Sequence, residues 1–352
     1  MKFWLFAIYT FMMGATVGSF LNVCIYRLPR GILPWRPSRS FCSNCYNTLK
    51  WKEIIPIFSW FILRGRCSQC FGAIPSRYML VEFLTGGVFT IFGMAFDFPQ
   101  NMAFWLLGAL LITATFVDLE TLTIPNSLTR GGIFAGIALS LISPAALGES
   151  SLKSAVFKAT TGAITGYGLL WGVLEAGKRC FGHKRLRWNV PQKFCFLPRG
   201  ENTIFECARE IWKGEDMFVR KNDELIIETA SWKTANGIQG HGTIRLKNNY
   251  LHTSQGELLL REGQQIAGEA LAISVPREAM GWGDVKLLAA IGAFIGAPGA
   301  LFTLFCASLL GALVGIGLLL CRKGDTPLPF GPFLAMGAFA WIFCGPTLWN
   351  LI

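Results

Sequence analysis

The sequence predicts a polytopic α-helical membrane protein of about eight transmembrane helices, with two polar segments on one side of the bilayer. Three observations predict it: an uneven spread of charge, a series of apolar stretches, and the loops into which lysine and arginine fall. Residues 178–278 hold 16 Lys/Arg and 12 Asp/Glu, the density of a soluble domain, whereas residues 26–77 hold nine Lys/Arg and one acid. The other 199 residues hold only 15 charges. A stretch so poor in charge belongs in a bilayer, where an unpaired charge is costly. The hydrophobic share of 52%, with 29 Phe and 12 Trp, excludes disorder, collagen and a long coiled coil. A net charge of +11 could point to nucleic acid. The basic residues instead sit in two segments flanked by apolar spans, which is the pattern of cytoplasmic loops, so no nucleic-acid partner is expected.

A spanning helix needs about 20 mostly apolar residues. Eight stretches are candidates: Phe3–Ile25, Tyr78–Phe98, Met102–Val117, Gly131–Leu147, Ser154–Gly177, Asp284–Gly296, Gly299–Cys321 and Phe330–Leu351. The third, fourth and sixth are short, and either gain a turn or line a polar cavity. The first span carries one charge at its start, Lys2, shows no small-residue cleavage site, and runs into Arg27, Arg30, Arg36 and Arg39. It therefore reads as a retained span with a stop-transfer flank. Eight crossings place 28 of 32 Lys/Arg on one side, which by the positive-inside rule is the cytoplasm. The organisation that follows is a first helix at 1–25, a cytoplasmic segment at 26–77, helices two to five at 78–177, a cytoplasmic insertion at 178–279, and helices six to eight at 280–352.

Within the insertion, Glu201–Lys213 has helical spacing. Short alternating runs follow at Met217–Arg220, Glu224–Glu228, Gly242–Lys247 and Glu257–Leu260, separated by turn signals such as Asn236-Gly237 and Lys247-Asn248-Asn249. These features predict a small β-rich domain. Gly237, Gly240 and Gly242 lack the spacing of a dinucleotide loop and read as turns. His183, His241 and His252 have no ligand motif around them and read as surface residues.

The strongest local signal is the pair of CxxC knuckles, Cys42-Ser43-Asn44-Cys45 and Cys67-Ser68-Gln69-Cys70. Two such turns can present four thiolates as a tetrahedron, the arrangement Zn²⁺ prefers. A cytosolic position argues against disulfides. Four Cys ligands leave no open coordination position, so this zinc is expected to be structural. The other seven cysteines are assigned to packing.

In a chain so poor in membrane charge, acids at helix ends need explaining. Asp118 closes the third span, in Phe116-Val117-Asp118-Leu119-Glu120, and Asp284 opens the sixth, in Gly281-Trp282-Gly283-Asp284. Taken singly, Asp284 could be an N-cap and Asp118 an interfacial acid. Taken together, at the same border of one membrane, they form a candidate pair. Two close carboxylates do not ionise together readily and so share a proton. One can then take a proton from water while the other protonates a carbonyl oxygen, which is aspartyl peptidase chemistry.

These residues resemble a known family, the bacterial type IV prepilin peptidases of the GxGD class of membrane aspartyl peptidases. Gly18-Ser19-Phe20-Leu21-Asn22-Val23 with Arg27-Leu28-Pro29 resembles its opening motif, and the knuckles with Ile55-Pro56 and Ser59-Trp60 between them resemble its cytoplasmic zinc domain. Arg77-Tyr78 and Val81-Glu82 resemble its second-span entry. Asp118 through Pro125-Asn126 and Gly281–Leu288, with Ala289-Ala290-Ile291-Gly292, resemble its two catalytic segments. Pro329-Phe330-Gly331-Pro332-Phe333 resembles its late Pro-Phe-Gly segment. The family usually joins its fifth span to the GxGD segment by a much shorter connection than the insertion found here.

The resemblance implies a multi-pass protein of the bacterial inner membrane that cuts prepilins or pseudopilins. The basic leader is removed after a Gly at the cytoplasmic face, with Asp118 and Asp284 catalytic. It further implies N-methylation of the new N-terminus from S-adenosylmethionine, for which the sequence shows no cofactor loop, and pilus or secretion machinery as possible partners. The basic 26–77 segment is expected to meet anionic lipid headgroups, while acids near the site, including Glu120, greet the basic leader. Gly14 and Gly18 read as a helix-packing face. Asn22 reads as an interhelical hydrogen-bond donor or part of a methyl-transfer site, and Glu82 as structurally paired or cavity-lining. Trp282 is expected at the interface. The competing readings are a transporter, since intramembrane acids also mark those, and a zinc-domain scaffold of a secretion or pilus assembly. No inverted repeat supports the transporter.

Overall fold

The computed structural model describes residues 2–36, 39–181, 183–198, 203–208, 210–217, 223–234, 237–247, 250–253, 256–260, 263–276, 280–321 and 328–349. The chain divides into two units, Met1–Trp171 with Gly281–Ile352, and Gly172–Met280.

The first unit is helical. Its long helices are α1 (Lys2–Arg27), α3 (Arg77–Ala95), α4 (Gln100–Thr121), α5 (Asn126–Ile142), α6 (Leu152–Phe181, which runs on into the second unit), α8 (Trp282–Leu320) and α9 (Gly331–Trp349), with a short α2 (Phe58–Ile62) in the Cys-rich segment. Small residues set how closely these helices meet. A Cβ on Gly14 would stand 2.7 Å from the Phe89 Cβ, and one on Gly18 2.8 Å from the Glu82 Cα, so α1 lies directly on the α3 backbone. Where α6 meets α8 the approach is closer still: a Cβ on Gly162 would stand 2.0 Å from the Gly292 carbonyl oxygen, and one on Gly292 2.1 Å from that of Gly162. Apolar lipid provides no hydrophobic drive between helices, so such backbone contact supplies the attraction instead.

The expectation of about eight spans is met only in part. Among the described residues, four helices are long and apolar enough to cross a membrane: 3–30, Arg77–Ala95, Gln100–Thr121 and Trp282–Leu320; Gly331–Gly345 is a shorter apolar helix. The sixth and seventh candidates lie within α8 as two helices joined across a kink at Gly296 (φ 79°, ψ 177°), just before Pro298, where the sequence divides them. Pro lacks an N–H and its ring collides with the preceding turn, which accounts for a break rather than a loop there. The fourth candidate divides into the 17-residue α5 and a separate 3₁₀ turn at Pro144–Leu147. The fifth, α6, spans 30 residues but includes Lys153, Lys158, Glu175, Lys178 and Arg179. Its apolar part is rich in Ala, Gly and Thr, residues that favour close packing while lowering mean hydropathy.

The second unit is β-rich. Among the described residues, eight strands form one antiparallel sheet in the order β3-β2-β1-β8-β4-β5-β6-β7, where β1 is His183–Leu197, β2 Ile204–Cys207, β3 Glu210–Lys213, β4 Glu224–Thr234, β5 Gln239–Lys247, β6 Tyr250–Thr253, β7 Gly256–Leu259 and β8 Ile266–Pro276. Its core gathers Phe194, Phe196, Phe205, Leu225, Ile227, Trp232, Ile244, Leu246 and Leu251. Two local expectations are corrected. Glu201–Lys213 is not helical where it is described: Ile204–Cys207 and Glu210–Lys213 pair as strands β2 and β3. The alternation of exposed Ile204 and Glu206 with buried Phe205 and Cys207 has the period of a strand. Met217 ends a four-residue helix, α7 (Gly214–Met217), and the rest of the expected Met217–Arg220 strand lies outside the described residues. Asn236, Asn248 and Asn249 of the expected turns lie outside them as well. His183 and His241 are exposed, and the His252 Nδ1 lies 3.0 Å from Glu257.

Candidate active site and metal centre

Asp118 sits in the last turn of α4, a turn further into a helix than the span boundary predicts. The helix stops at Leu122, which adopts a left-handed conformation (φ 55°) and returns its N–H to the Asp118 carbonyl at 2.8 Å. Pro125 then opens α5 at Asn126. Asp284 lies in the first turn of α8 but is not the N-cap. Gly281 holds that position in extended geometry, and the first turn has no side-chain cap. An N-cap role therefore does not account for Asp284, whose buried Oδ1 has no hydrogen-bond partner.

Both carboxylates are buried, Asp118 at 4% and Asp284 at 8% exposure. The fold brings them within direct charge–charge range of each other. Two glycines make the approach possible. A Cβ on Gly283 would stand 2.8 Å from the Ile124 Cβ and 3.1 Å from the Ile124 N and O, so only glycine lets the start of α8 rest on the segment that follows Asp118. The second is Gly331 at the start of α9, whose N–H donates to Asp118 Oδ2 at 2.8 Å. A bond from a backbone N–H to a carboxylate is worth about 1.5–3 kcal/mol. The Pro-Phe-Gly resemblance flags this glycine but not its role as the partner of Asp118. The Lys286 ammonium bonds the Asn126 side chain, tying α8 to the start of α5.

Glu120 is paired with Arg77 across the α4 and α3 ends. Glu82, instead of pairing with Arg77, accepts the Ile57 N–H at 2.7 Å. Ile57 is a β-branched residue held at φ 64°, a backbone conformation such residues rarely adopt. Asn22 donates to the Tyr78 carbonyl at 2.9 Å, the interhelical donor role expected of it.

The four knuckle sulfurs of Cys42, Cys45, Cys67 and Cys70 all lie within 4.8 Å of one another. With metal–sulfur bonds of about 2.3 Å, the edge of a tetrahedron of sulfurs is roughly 3.8 Å. Cys42 and Cys70 stand 3.8 Å apart. The four are free cysteines, and the cluster can hold a metal ion such as zinc. The N–H groups of Cys70 and Gln69 lower the Cys67 thiol to about 7, toward the thiolate a metal needs. Glu53 bonds the Ser68 hydroxyl and accepts the Lys50 N–H at 2.7 Å, bracing the second knuckle.

A buried acid–acid pair carried by two apolar helices is the arrangement that defines the class of membrane aspartyl peptidases. Comparison with protein families is specific. Residues 12–96 match the bacterial peptidase A24 N-terminal domain, and residues 264–316 match the type IV leader peptidase family. Over those two regions the chain is similar to that peptidase family. A prepilin leader peptidase/N-methyltransferase of Aeromonas salmonicida is 26% identical, with 98% of this chain and 93% of that protein aligned. One of Burkholderia pseudomallei is 27% identical over 98% of this chain and 87% of its own length. One of Myxococcus xanthus is 40% identical over 45% of this chain and 46% of its own length. No solved structure matches.

Proposed function

We propose that the protein is an aspartic endopeptidase that removes the leader from prepilins or pseudopilins, with Asp118 and Asp284 as its catalytic pair. What supports the assignment of residues is that two buried carboxylates on separate helices lie within charge–charge range, one hydrogen-bonded by a glycine N–H and the other with an unpartnered oxygen. The Gly331 N–H fixes Asp118 through Oδ2, while Asp284 Oδ1 is left to meet water or the scissile carbonyl. One carboxylate takes the proton of the attacking water; the other, protonated, gives its proton to the carbonyl oxygen, and the exchange reverses as the amine leaves. Catalysis needs no covalent intermediate.

The same protein methylates the new N-terminus, a reading supported by the names of its relatives. S-adenosylmethionine supplies the methyl group when bound. Zinc fits the Cys42, Cys45, Cys67 and Cys70 cluster and acts structurally, because four sulfurs fill its coordination. The protein resides in the bacterial inner membrane, with the Cys-rich segment and the β-rich insertion in the cytoplasm by the lysine and arginine bias. The basic segment meets anionic headgroups, and pilus or secretion components are its natural neighbours.

The test uses purified full-length protein in detergent and a prepilin substrate, with the product N-terminus sequenced. Cleavage after the leader Gly is expected, abolished by Asp118→Asn or Asp284→Asn in folded variants. Near-normal turnover by either variant refutes the two-aspartate mechanism. Failure of the folded wild type to cleave favours a scaffold.

A further inference from the structure

The Cys-rich segment carries an open pocket of about 880 Å³ that peptide hydrolysis does not use. Arg39, Lys50 and Lys52 line it together with Trp51 and Ile54, and among the described residues none of its wall is acidic. All three cations are exposed. Glu53 is the single acid between residues 26 and 77, and its two oxygens are taken by the Lys50 N–H and the Ser68 hydroxyl. Backbone pairing brings the cations to one place. The Leu49 N–H donates to the Ser40 carbonyl at 2.9 Å and Phe41 pairs with Thr48, so the chain at Arg39 runs beside the chain at Lys50. Asn47 and Gln69 add side-chain amides to the wall, and the bond between them, at 3.1 Å, ties one knuckle to the other. Trp51 is 69% exposed, with the Lys52 ammonium 5.3 Å from its ring centroid.

Two contacts fix the level of this pocket. Arg27, the last residue of α1, donates to the Arg39 carbonyl at 3.2 Å. Glu82, in the second turn of α3, accepts the N–H of Ile57, the residue that opens α2. Both α1 and α3 are long and apolar enough to cross a membrane, so the pocket hangs at the helix ends that the lysine and arginine bias assigns to the cytoplasmic border. Phe58, Phe61 and Ile62 of α2 are exposed at that same end. We propose that this pocket binds the phosphate of an anionic phospholipid headgroup, with Arg39, Lys50 and Lys52 on the phosphate and Trp51 and Ile54 toward the acyl chains. The proposal rests on the reading that the basic segment meets anionic headgroups, and assigns that contact to one site. Lysine and arginine without a neighbouring free acid attract any phosphate. The exposed aromatic and apolar side chains beside them favour a phosphate that carries acyl chains, because such side chains are at home in the interfacial layer. The knuckles then have a task beyond their own stability, since they hold Asn47 and Gln69 in the wall.

Titration of the full-length, zinc-loaded protein in detergent with a short-chain phosphatidylglycerol tests the site, with short-chain phosphatidylcholine and inorganic phosphate as the other arms. Binding of phosphatidylglycerol well ahead of both is expected. Each basic residue close to an anionic surface contributes roughly fivefold, so the combined Arg39→Gln, Lys50→Gln and Lys52→Gln variant is expected to bind about 100-fold more weakly and each single variant about fivefold more weakly. Zinc content and a melting curve establish folding, and the single variants carry the test should the combined one misfold. A photoactivatable phosphatidylglycerol is expected to label the peptides that carry Arg39 or Trp51. Inorganic phosphate binding as well as the lipid makes this a free-phosphate site and overturns the lipid assignment. Unchanged affinity in the folded variants, or label confined to other parts of the chain, overturns the site. Label on the Cys-rich segment away from the pocket, at Arg64 or Arg66, does so while leaving the headgroup reading standing. Equal binding of phosphatidylcholine overturns both.

Discussion

Gly331→Ala separates the positioning of Asp118 from its chemistry. The glycine donates its N–H to Asp118 Oδ2 at 2.8 Å, and an added Cβ would stand 2.9 Å from that same oxygen and 3.3 Å from the Asp118 Cβ. Its φ is not positive, so alanine meets no backbone strain there, and the methyl group acts through the contact alone. Asp118 is itself enclosed, so the carboxylate must turn or α9 must back away. Either movement lengthens a charge-assisted hydrogen bond of about 1.5–3 kcal/mol, which at 1.36 kcal/mol per decade is roughly a ten- to 150-fold loss of rate. A displacement of about 1 Å of a reacting group gives a loss of the same size. The assay is leader removal at saturating prepilin, with zinc content and thermal unfolding measured on the same preparation. The expected result is kcat down within that range, an unchanged metal content and a melting point within a few degrees. Turnover within about twofold of wild type, in a folded variant, refutes the claim that the Gly331 N–H holds Asp118 in working position.

Cys45→Ser or Cys67→Ser is expected to lower zinc content and stability first, with cleavage lost as a consequence, because binding free energy at such sites is folding free energy; metal analysis beside a melting curve checks this. The thiols must be deprotonated to bind, so metal release is expected on acidification and not on mild alkalinisation, read with a chromogenic chelator. Gly162→Ala is expected to be severely destabilising, since its Cβ would stand 2.0 Å from the Gly292 carbonyl oxygen; the yield of folded protein in detergent is the measure. Replacing residues 190–270 with a short flexible linker is expected to leave cleavage of a generic prepilin measurable, because closing a loop depends only weakly on its length. A correctly inserted, zinc-loaded deletion with no detectable cleavage would make the insertion part of the active site.

The helical part of this chain was legible where one signal dominated, and blurred where two competed. The charge gap places α1, α3 and α4 well, since apolar residues dominate them. The break in α8 is legible as well, since Gly296 and Pro298 mark it in the sequence and the backbone leaves the helix at Gly296 with a φ of 79°. In the insertion, β4 and β5 show their alternation, but β1 hides behind Pro191 and a bulge between Arg187 and Gln192. Strand β8 hides differently. It pairs on both edges, with β1 and β4, and carries small residues (Ala267, Gly268, Ala270, Ala272) where a pattern reader looks for Val and Ile. At Gly268 an added Cβ would stand 2.2 Å from the Ser231 carbonyl oxygen, so the smallness is required by the neighbouring strand.

The site divides the same way. Residues that act through their own chemistry, the four cysteines and the two aspartates, stand out from sequence because thiolate and carboxylate are rare in such surroundings. Residues that act by absence do not. Gly283 and Gly331 matter because they leave room, one for Ile124 and the other for Asp118 Oδ2. What they make room for comes from segments 159 and 213 residues away in the chain. Asn22 is an intermediate case. Its side chain marks it as polar in an apolar span, yet only the third dimension shows that one end is spent on Tyr78 and the other end is left without a donor. The GxGD segment therefore has two separable requirements. In the proposed mechanism the aspartate supplies the proton chemistry, and the glycine before it lets the start of α8 rest on the segment after Asp118. A bulky residue at 283 should then abolish activity with both carboxylates intact, through the distance between them alone.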